Sequence, residues 1–136
     1  MALSATFAKQ LCIFLQNQPG VLAKLCRALS GERINLKAIS VSDSVDHAVV
    51  RVVVDKPLVA RRIFEDHNLL VIENDLLALH LPDRPGTLGQ VAARLAKAKL
   101  NISYLYGSAP DGDGMGTLYL RVEAPPARIS AALKGL

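Results

Sequence analysis

Hydrophobic positions along the chain switch between two periods, and the switches mark out elements. Residues 11–15, LCIFL, form a short apolar run of β-formers and predict a buried strand. Pro19 follows where a helix tolerates proline, in its first turn, with Asn17 or Gln18 able to cap the free N–H groups. Leu22, Leu25, Cys26 and Leu29 then recur at helical spacing and stop near Gly31. Residues 35–41 alternate as a strand, 42–46 are a polar turn, and 48–54, AVVRVVV, are a β-branched strand. Pro57 opens a second helix through Leu58, Arg61, Arg62, Ile63 and Phe64, and residues 69–72 supply a fourth strand. The order β-α-β-β-α-β is the split-βαβ or ferredoxin-like arrangement, an α+β fold with an antiparallel sheet and its helices on one face.

The same plan then begins again. Residues 9–22 read KQLCIFLQNQPGVL and residues 75–88 read DLLALHLPDRPGTL. At an offset of 66, Leu11 meets Leu77, Leu15 meets Leu81, Asn17 meets Asp83, and Pro19-Gly20 meets Pro85-Gly86. The match runs on to Ile34-Asn35-Leu36 and Leu100-Asn101-Ile102; after two extra residues within 108–116 the offset becomes 68. Agreement in type, order and spacing over this length indicates a duplicated unit. The second copy predicts a strand at 76–81, a helix at 85–99 with Leu88, Val91, Ala92 and Leu95 inward, and a strand at 102–106. A glycine-rich hairpin at 108–116, a strand at 116–123 and a helix at 126–133 follow. Two units result, 8–74 and 75–136, the second lacking its last strand or taking it from elsewhere. An uncovered strand edge there would invite pairing.

Strand alternation also predicts what the sheet shows to its surroundings. In 11–15 the odd positions face the helices, so Cys12 and Phe14 face away, together with Val49, Arg51 and Val53. That is too apolar for a solvated face. It predicts a homodimer through sheet faces or edges.

Composition narrows the class. Hydrophobic residues are 51% and charged residues 21% of 136, enough for a packed core and against disorder. The net charge of +4 is a mild excess spread over amphipathic stretches, not a basic tail. Cys12 and Cys26 sit in apolar-periodic segments with no CxxC, which reads as buried thiols in a reducing compartment. The first seven residues carry no Lys or Arg and the 11–15 run is short, so neither a signal peptide nor a membrane helix is predicted, and the expected location is cytoplasmic.

A βαββαβ unit whose first loop reads Asn/Asp-x-Pro-Gly-x-Leu, followed after the helix by hydrophobic-Asn-hydrophobic, resembles the ACT domain. The first set is Asn17, Gln18, Pro19, Gly20, Val21 and Leu22 with Asn35 and Leu36; the second is Asp83, Arg84, Pro85, Gly86, Thr87 and Leu88 with Asn101 and Ile102. The chain is most similar to small stand-alone tandem-ACT proteins of prokaryotes. The resemblance implies a non-catalytic regulatory protein that binds a small amino acid between ACT units. It places Asn17 opposite Asn101, and Asp83 opposite Asn35, with Tyr104 as a candidate pocket wall. Relatives attached to phosphoglycerate dehydrogenase carry a serine-contacting His two residues before the loop Asn. Leu15 and Leu81 stand there instead, which points away from serine and toward a more apolar ligand.

Elementary chemistry agrees with that implication. Glycine lets a ligand approach the backbone, a helix N-terminus suits an α-carboxylate, and Asn both donates and accepts. Asp83 would favour an α-ammonium and repel a carboxylate, so the two half-sites should be unequal. From the residues alone, Asn17 and Asp83 read first as helix caps, Gly20 and Gly86 as packing glycines, Asn35 and Asn101 as turn ends, and Tyr104 and Tyr106 as sheet packing.

Catalytic and metal signatures are missing from the sequence. His47, His67 and His80 fall in different elements without Cys or carboxylate at ligand spacing, and read as surface or strand histidines. Neither a nucleophile–base constellation nor a Walker loop occurs; residues 112–116 lead into a strand, and a hairpin turn explains them. No enzyme activity, cofactor or metal is expected. The alternative function is a regulatory subunit that binds and controls a separate amino-acid-biosynthesis enzyme. A remoter one is an RNA-binding ferredoxin-like module, but that needs stacking aromatics on the third strand, where only Tyr119 appears. No nucleic acid or membrane partner is expected.

Overall fold

Neither Pro nor Gly interrupts Ser4–Gln16, and the backbone runs extended through all 13 residues as strand β1. The computed structural model describes residues 3–43, 46–108 and 114–136. After β1 come α1 (Val21–Gly31), β2 (Leu36–Asp43), β3 (His47–Val54), α2 (Pro57–Asp66) and β4 (Val71–Pro82). Then follow α3 (Thr87–Lys97), β5 (Ile102–Ser108), β6 (Met115–Val122) and α4 (Pro126–Leu133). The fold is α+β, with two tandem βαββαβ-like units built from six antiparallel strands and four helices among the described residues. Parts of the predicted turn at 42–46 and of the hairpin at 108–116 lie outside the described residues.

The chain divides into two compact units, one of Lys9–Asn74 and one of Met1–Ala8 with Asp75–Leu136. In the first, the strand order is β2-β3-β1-β4. In the second it is β1-β4-β6-β5, with the place beside β4 held by the N-terminal part of β1. The position that the repeat leaves open after α4 is thus filled from the beginning of the chain. Leu3 packs against the core of this second unit. The sequence reading starts the first strand at 11, because residues 4–8 carry only one large apolar residue, Phe7.

A second difference concerns β4. Pattern reading separates a strand at 69–72 from one at 76–81, yet Val71–Pro82 is one strand of 12 residues. Glu73, Asn74 and Asp75 are polar but contain no Pro or Gly, so nothing in them breaks an extended backbone.

Each unit has its own core. In the first, Leu11, Ile13 and Leu15 of β1 pack with Val50, Val52 and Val54 of β3 and with Leu25, Leu29, Ala60 and Phe64 of the helices. In the second, Leu77, Leu79 and Leu81 pack with Leu120 and Val122, and with Val91, Leu95, Ile129 and Leu133. The register pairs Leu11 with Val52 and Ile13 with Val50, so one face of each strand carries the core. Cys12 and Phe14 oppose Arg51 and Val49 on the other face.

Helix ends repeat too. Ile34 N–H bonds Leu29 O and Arg33 N–H bonds Ser30 O; Leu100 N–H bonds Leu95 O and Lys99 N–H bonds Ala96 O. These are Schellman closures, with Arg33 and Lys99 at φ 56° and 60° where glycine is usual. α1 ends at Gly31, as its position suggests, and the left-handed residue that closes it is Arg33, two residues on. The hydrophobe after the left-handed residue decides the geometry: Ile34 and Leu100 are both buried.

Burial raises the Cys12 thiol pKa, and the nearby Arg51 opposes the shift. A thiol that ionises later in the folded state contributes its full stability below the ordinary thiol range. That stability is lost as pH rises toward the raised value. Alkaline melting curves should therefore fall less steeply for Cys12→Ala than for the wild type, and native-state alkylation should label Cys26 before Cys12 by mass spectrometry. Removing residues 1–8 should leave β4 of the second unit without its neighbour. The expected result is a lower melting temperature with self-association in size-exclusion chromatography, and an unchanged melt would contradict this strand assignment.

Candidate functional site

The two Pro-Gly loops have almost the same backbone. Gly20 lies at φ 88°, ψ −14° and Gly86 at φ 90°, ψ −11°, each at the position just before a helix. Both φ values fall in the left-handed region, where a Cβ is strained, so glycine is required by conformation. Open space surrounds both: a Cβ would meet nothing within 4 Å. Close packing against the sheet is therefore not their role.

The helices begin at Val21 and Thr87, two residues later than proline placement suggests, and no side chain caps either one. Asn17 and Asp83 are therefore not caps. Pro19-Gly20 and Pro85-Gly86 form a turn between each of them and the helix start. Their backbones anchor the loops instead: Asn17 N–H bonds Asp46 O at 3.3 Å, and Asp83 N–H bonds Gly114 O at 2.7 Å. Gln18, Pro19, Arg84 and Pro85 are exposed, as are the side chains of Asn17 and Asp83.

The next residues split the pair. Val21 is half-buried and packs on its core, and Thr87 is buried at 5% exposure. Leu22 and Leu88, one residue on, are 38% and 37% exposed, although helical periodicity places both inward. Each leucine stands in the first turn of its helix, where part of its side chain is left exposed. Each loop thus carries uncapped helix N–H groups, a glycine and an outward leucine side by side.

Asn35 and Asn101 stand just before β2 and β5 and are exposed; Leu36 and Ile102 behind them are half-buried. Asn35 N–H donates to Asp55 Oδ1 at 3.0 Å, and Asp55 N–H returns a bond to Asn35 O at 3.2 Å, which ties the start of β2 to the end of β3. Loop and asparagine lie at opposite ends of a helix in each unit. Eleven helical residues span about 16 Å. A unit therefore does not bring its own loop and its own asparagine to one ligand.

Tyr104 opposes Arg121 and Tyr106 opposes Tyr119, on the face of the second unit's strands away from its core residue Leu120. Tyr106 and Tyr119 stack with ring centroids 5.7 Å apart. His80 Nδ1 lies 3.2 Å from Thr117 Oγ1, and His67 Nδ1 lies 2.8 Å from Ile63 O.

Sequence reading leaves one feature unforeseen, a cavity of about 380 Å³ inside the unit Lys9–Asn74. Lys24, His47, His67 and Gln16 line it together with apolar residues. A comparison of the two copies would have flagged it, because the second copy has no basic residue at the matching positions.

Among the described residues no group of three His, Cys, Asp or Glu is placed to hold a metal ion. No helix among them is long and apolar enough to cross a membrane.

The fold and loops agree with comparisons to known proteins. The sequence matches the ACT domain pair family over residues 6–129. Among solved structures, the chain resembles protein BT0572 from Bacteroides thetaiotaomicron, at 29% identity and TM-score 0.87, covering 96% of this chain and 88% of that one. It shares its fold with the regulatory subunit of aspartate kinase from Thermus thermophilus in its ligand-free form, at 16% identity and TM-score 0.69, covering 97% and 92%. It also shares it with E. coli aspartokinase III in complex with lysine and aspartate, at 14% identity and TM-score 0.62, covering 98% of this chain and 31% of that one. No curated protein matches the sequence. With nearly its whole length matched and both loops in register, this chain belongs to the ACT domain pair family.

Proposed function

We propose that the protein is a non-catalytic regulator that binds a small, partly apolar amino acid where the loop of one ACT unit meets the second-strand asparagine of another. One observation carries the reading: the same uncapped, glycine-turned loop with an outward leucine occurs twice. Free N–H groups and the positive end of the helix suit an α-carboxylate. Leu22 or Leu88 suits an aliphatic side chain, and Asn101 or Asn35 completes the polar contacts. The roughly 16 Å between a loop and its own asparagine is why a second unit is needed. Asp83 in place of Asn makes the second loop the poorer carboxylate site.

The alternative reading is a subunit that controls a separate biosynthetic enzyme. Its support is the fold shared with the aspartate kinase regulatory subunit. The two readings differ in whether an enzyme co-purifies with the protein.

The first reading also includes a homodimer. On the face of the first unit away from its core, Phe14 and Val49 lie opposite each other, Val53 is buried, and Ile72 is 43% exposed. Leu70, just before β4, is 68% exposed. An apolar surface of this kind is better covered than solvated.

In a thermal-shift screen of the amino acids, a specific binder should raise the melting temperature by linkage. Asn35→Ala and Asn101→Ala should each weaken that binder by roughly fivefold to tenfold, the worth of a lost hydrogen bond. Asp83→Asn should strengthen the weaker site in calorimetry. No shift at millimolar concentration for any amino acid would end the reading. Light scattering at micromolar concentration should give the mass of a dimer, and a monomer mass would remove the sheet-face proposal.

A further inference from the structure

The cavity in the unit Lys9–Asn74 opens between the start of α1 and the end of α2, over the last residues of β1. At about 380 Å³ it is at the small end of ligand pockets, which span roughly 300–1,000 Å³. Leu15, Val21, Leu25 and Leu69 make its apolar wall. Lys24, His47 and His67 are its basic lining residues, and none of the described lining residues is Asp or Glu. His67 Nδ1 donates to the Ile63 carbonyl, so Nε2 is the nitrogen that remains for a second partner.

The second unit supplies a natural comparison. Gln16 pairs with His47, and Pro82 pairs with Met115, so Met115 is the counterpart of His47. The 66- and 68-residue offsets place Gln90 opposite Lys24 and Gly135 opposite His67. The three positions that are basic in this cavity are neutral in the duplicate, where the start of α3 matches the start of α1 and the depression at Gln90 is lined instead by Arg94 and Lys97.

We propose that this cavity is a second small-molecule site that takes a short carboxylate with a branched apolar body and no ammonium group, of the 2-oxo-acid or short fatty-acid type. The carboxylate meets Lys24 and His67, and the apolar body fills the space between Leu15, Val21, Leu25 and Leu69. An amino acid is disfavoured, because its ammonium would lie near the Lys24 ammonium with no lining side-chain carboxylate to receive it. The site is contained in one unit and does not use Asn35, Asn101 or the glycine turns; it shares Val21 with the loop of the amino-acid site proposed above.

The test is titration of the full chain with α-ketoisocaproate, by calorimetry and by amide chemical-shift mapping. Saturable binding is expected, with shifts concentrated at Leu15, Lys24, Leu25 and Leu69. Lys24 and His67 are exposed, so Lys24→Gln with His67→Gln should cost little melting temperature beyond the lost His67–Ile63 hydrogen bond. It should weaken binding by about tenfold or more, as loss of charge-assisted hydrogen bonds requires. Gln90→Ala in the second unit should change nothing, and leucine and isovaleramide should compete poorly. Absence of saturable binding at millimolar concentration, shifts mapping elsewhere, unchanged affinity in the double variant, or equal competition by leucine would each overturn the proposal. Asn35→Ala and Asn101→Ala should leave α-ketoisocaproate affinity as it is, so failure of the amino-acid reading is recorded separately from failure of this one.

Discussion

Backbone pairing along β1 and β4 is the constraint on which both units depend. Each strand is longer than one unit needs, and each contributes residues to both. A strand at the margin of a sheet leaves a row of unpaired N–H and C=O groups, costly when buried and adhesive when exposed. In the second unit the strand beside β4 is the N-terminal part of β1. The beginning of the chain closes that margin. A βαββαβ unit is thereby completed from two distant pieces of sequence, and neither piece would read as a finished domain alone.

The helices then set where chemistry can occur. An α-helix of 11 residues holds its two ends apart, and in each copy the Pro-Gly loop stands at one end and the asparagine at the other. Binding contacts of a single unit are therefore split by its own architecture. Starting each helix after the glycine, not at the proline, leaves the first N–H groups without a side-chain cap, and Leu22 and Leu88 stand partly exposed in that first turn.

Duplication kept conformation and changed chemistry. Gly20 and Gly86 agree within a few degrees, and Arg33 and Lys99 close their helices by the same hydrogen bonds. At the same time Asn17 became the counterpart of an acid, and Lys24, His47 and His67 have neutral counterparts. The buried hydrophobes after each helix, Ile34 and Leu100, explain the conservatism, since moving them would open a core. The loop tips and cavity rim carry no such cost and are where the copies differ.

Much of this is determined by the sequence alone. The repeat, the order of elements and the two loop motifs are local signals, carried by periodicity, proline placement and spacing, and the structure has them. The continuity of β4 through Glu73-Asn74-Asp75 was less legible, because polarity imitates a turn where the backbone is free to stay extended. What only tertiary structure decided depends on residues far apart in the chain. The N-terminal strand becomes the neighbour of β4 because an edge elsewhere needs pairing. Asn17 and Asp83 stop being caps because the glycine turn places the helix start beyond them. Lys24, His47 and His67 come to one cavity only when α1, β3 and the end of α2 pack together. Local pattern records what each segment can form; long-range packing decides which backbone groups still need a partner and which side chains share a space.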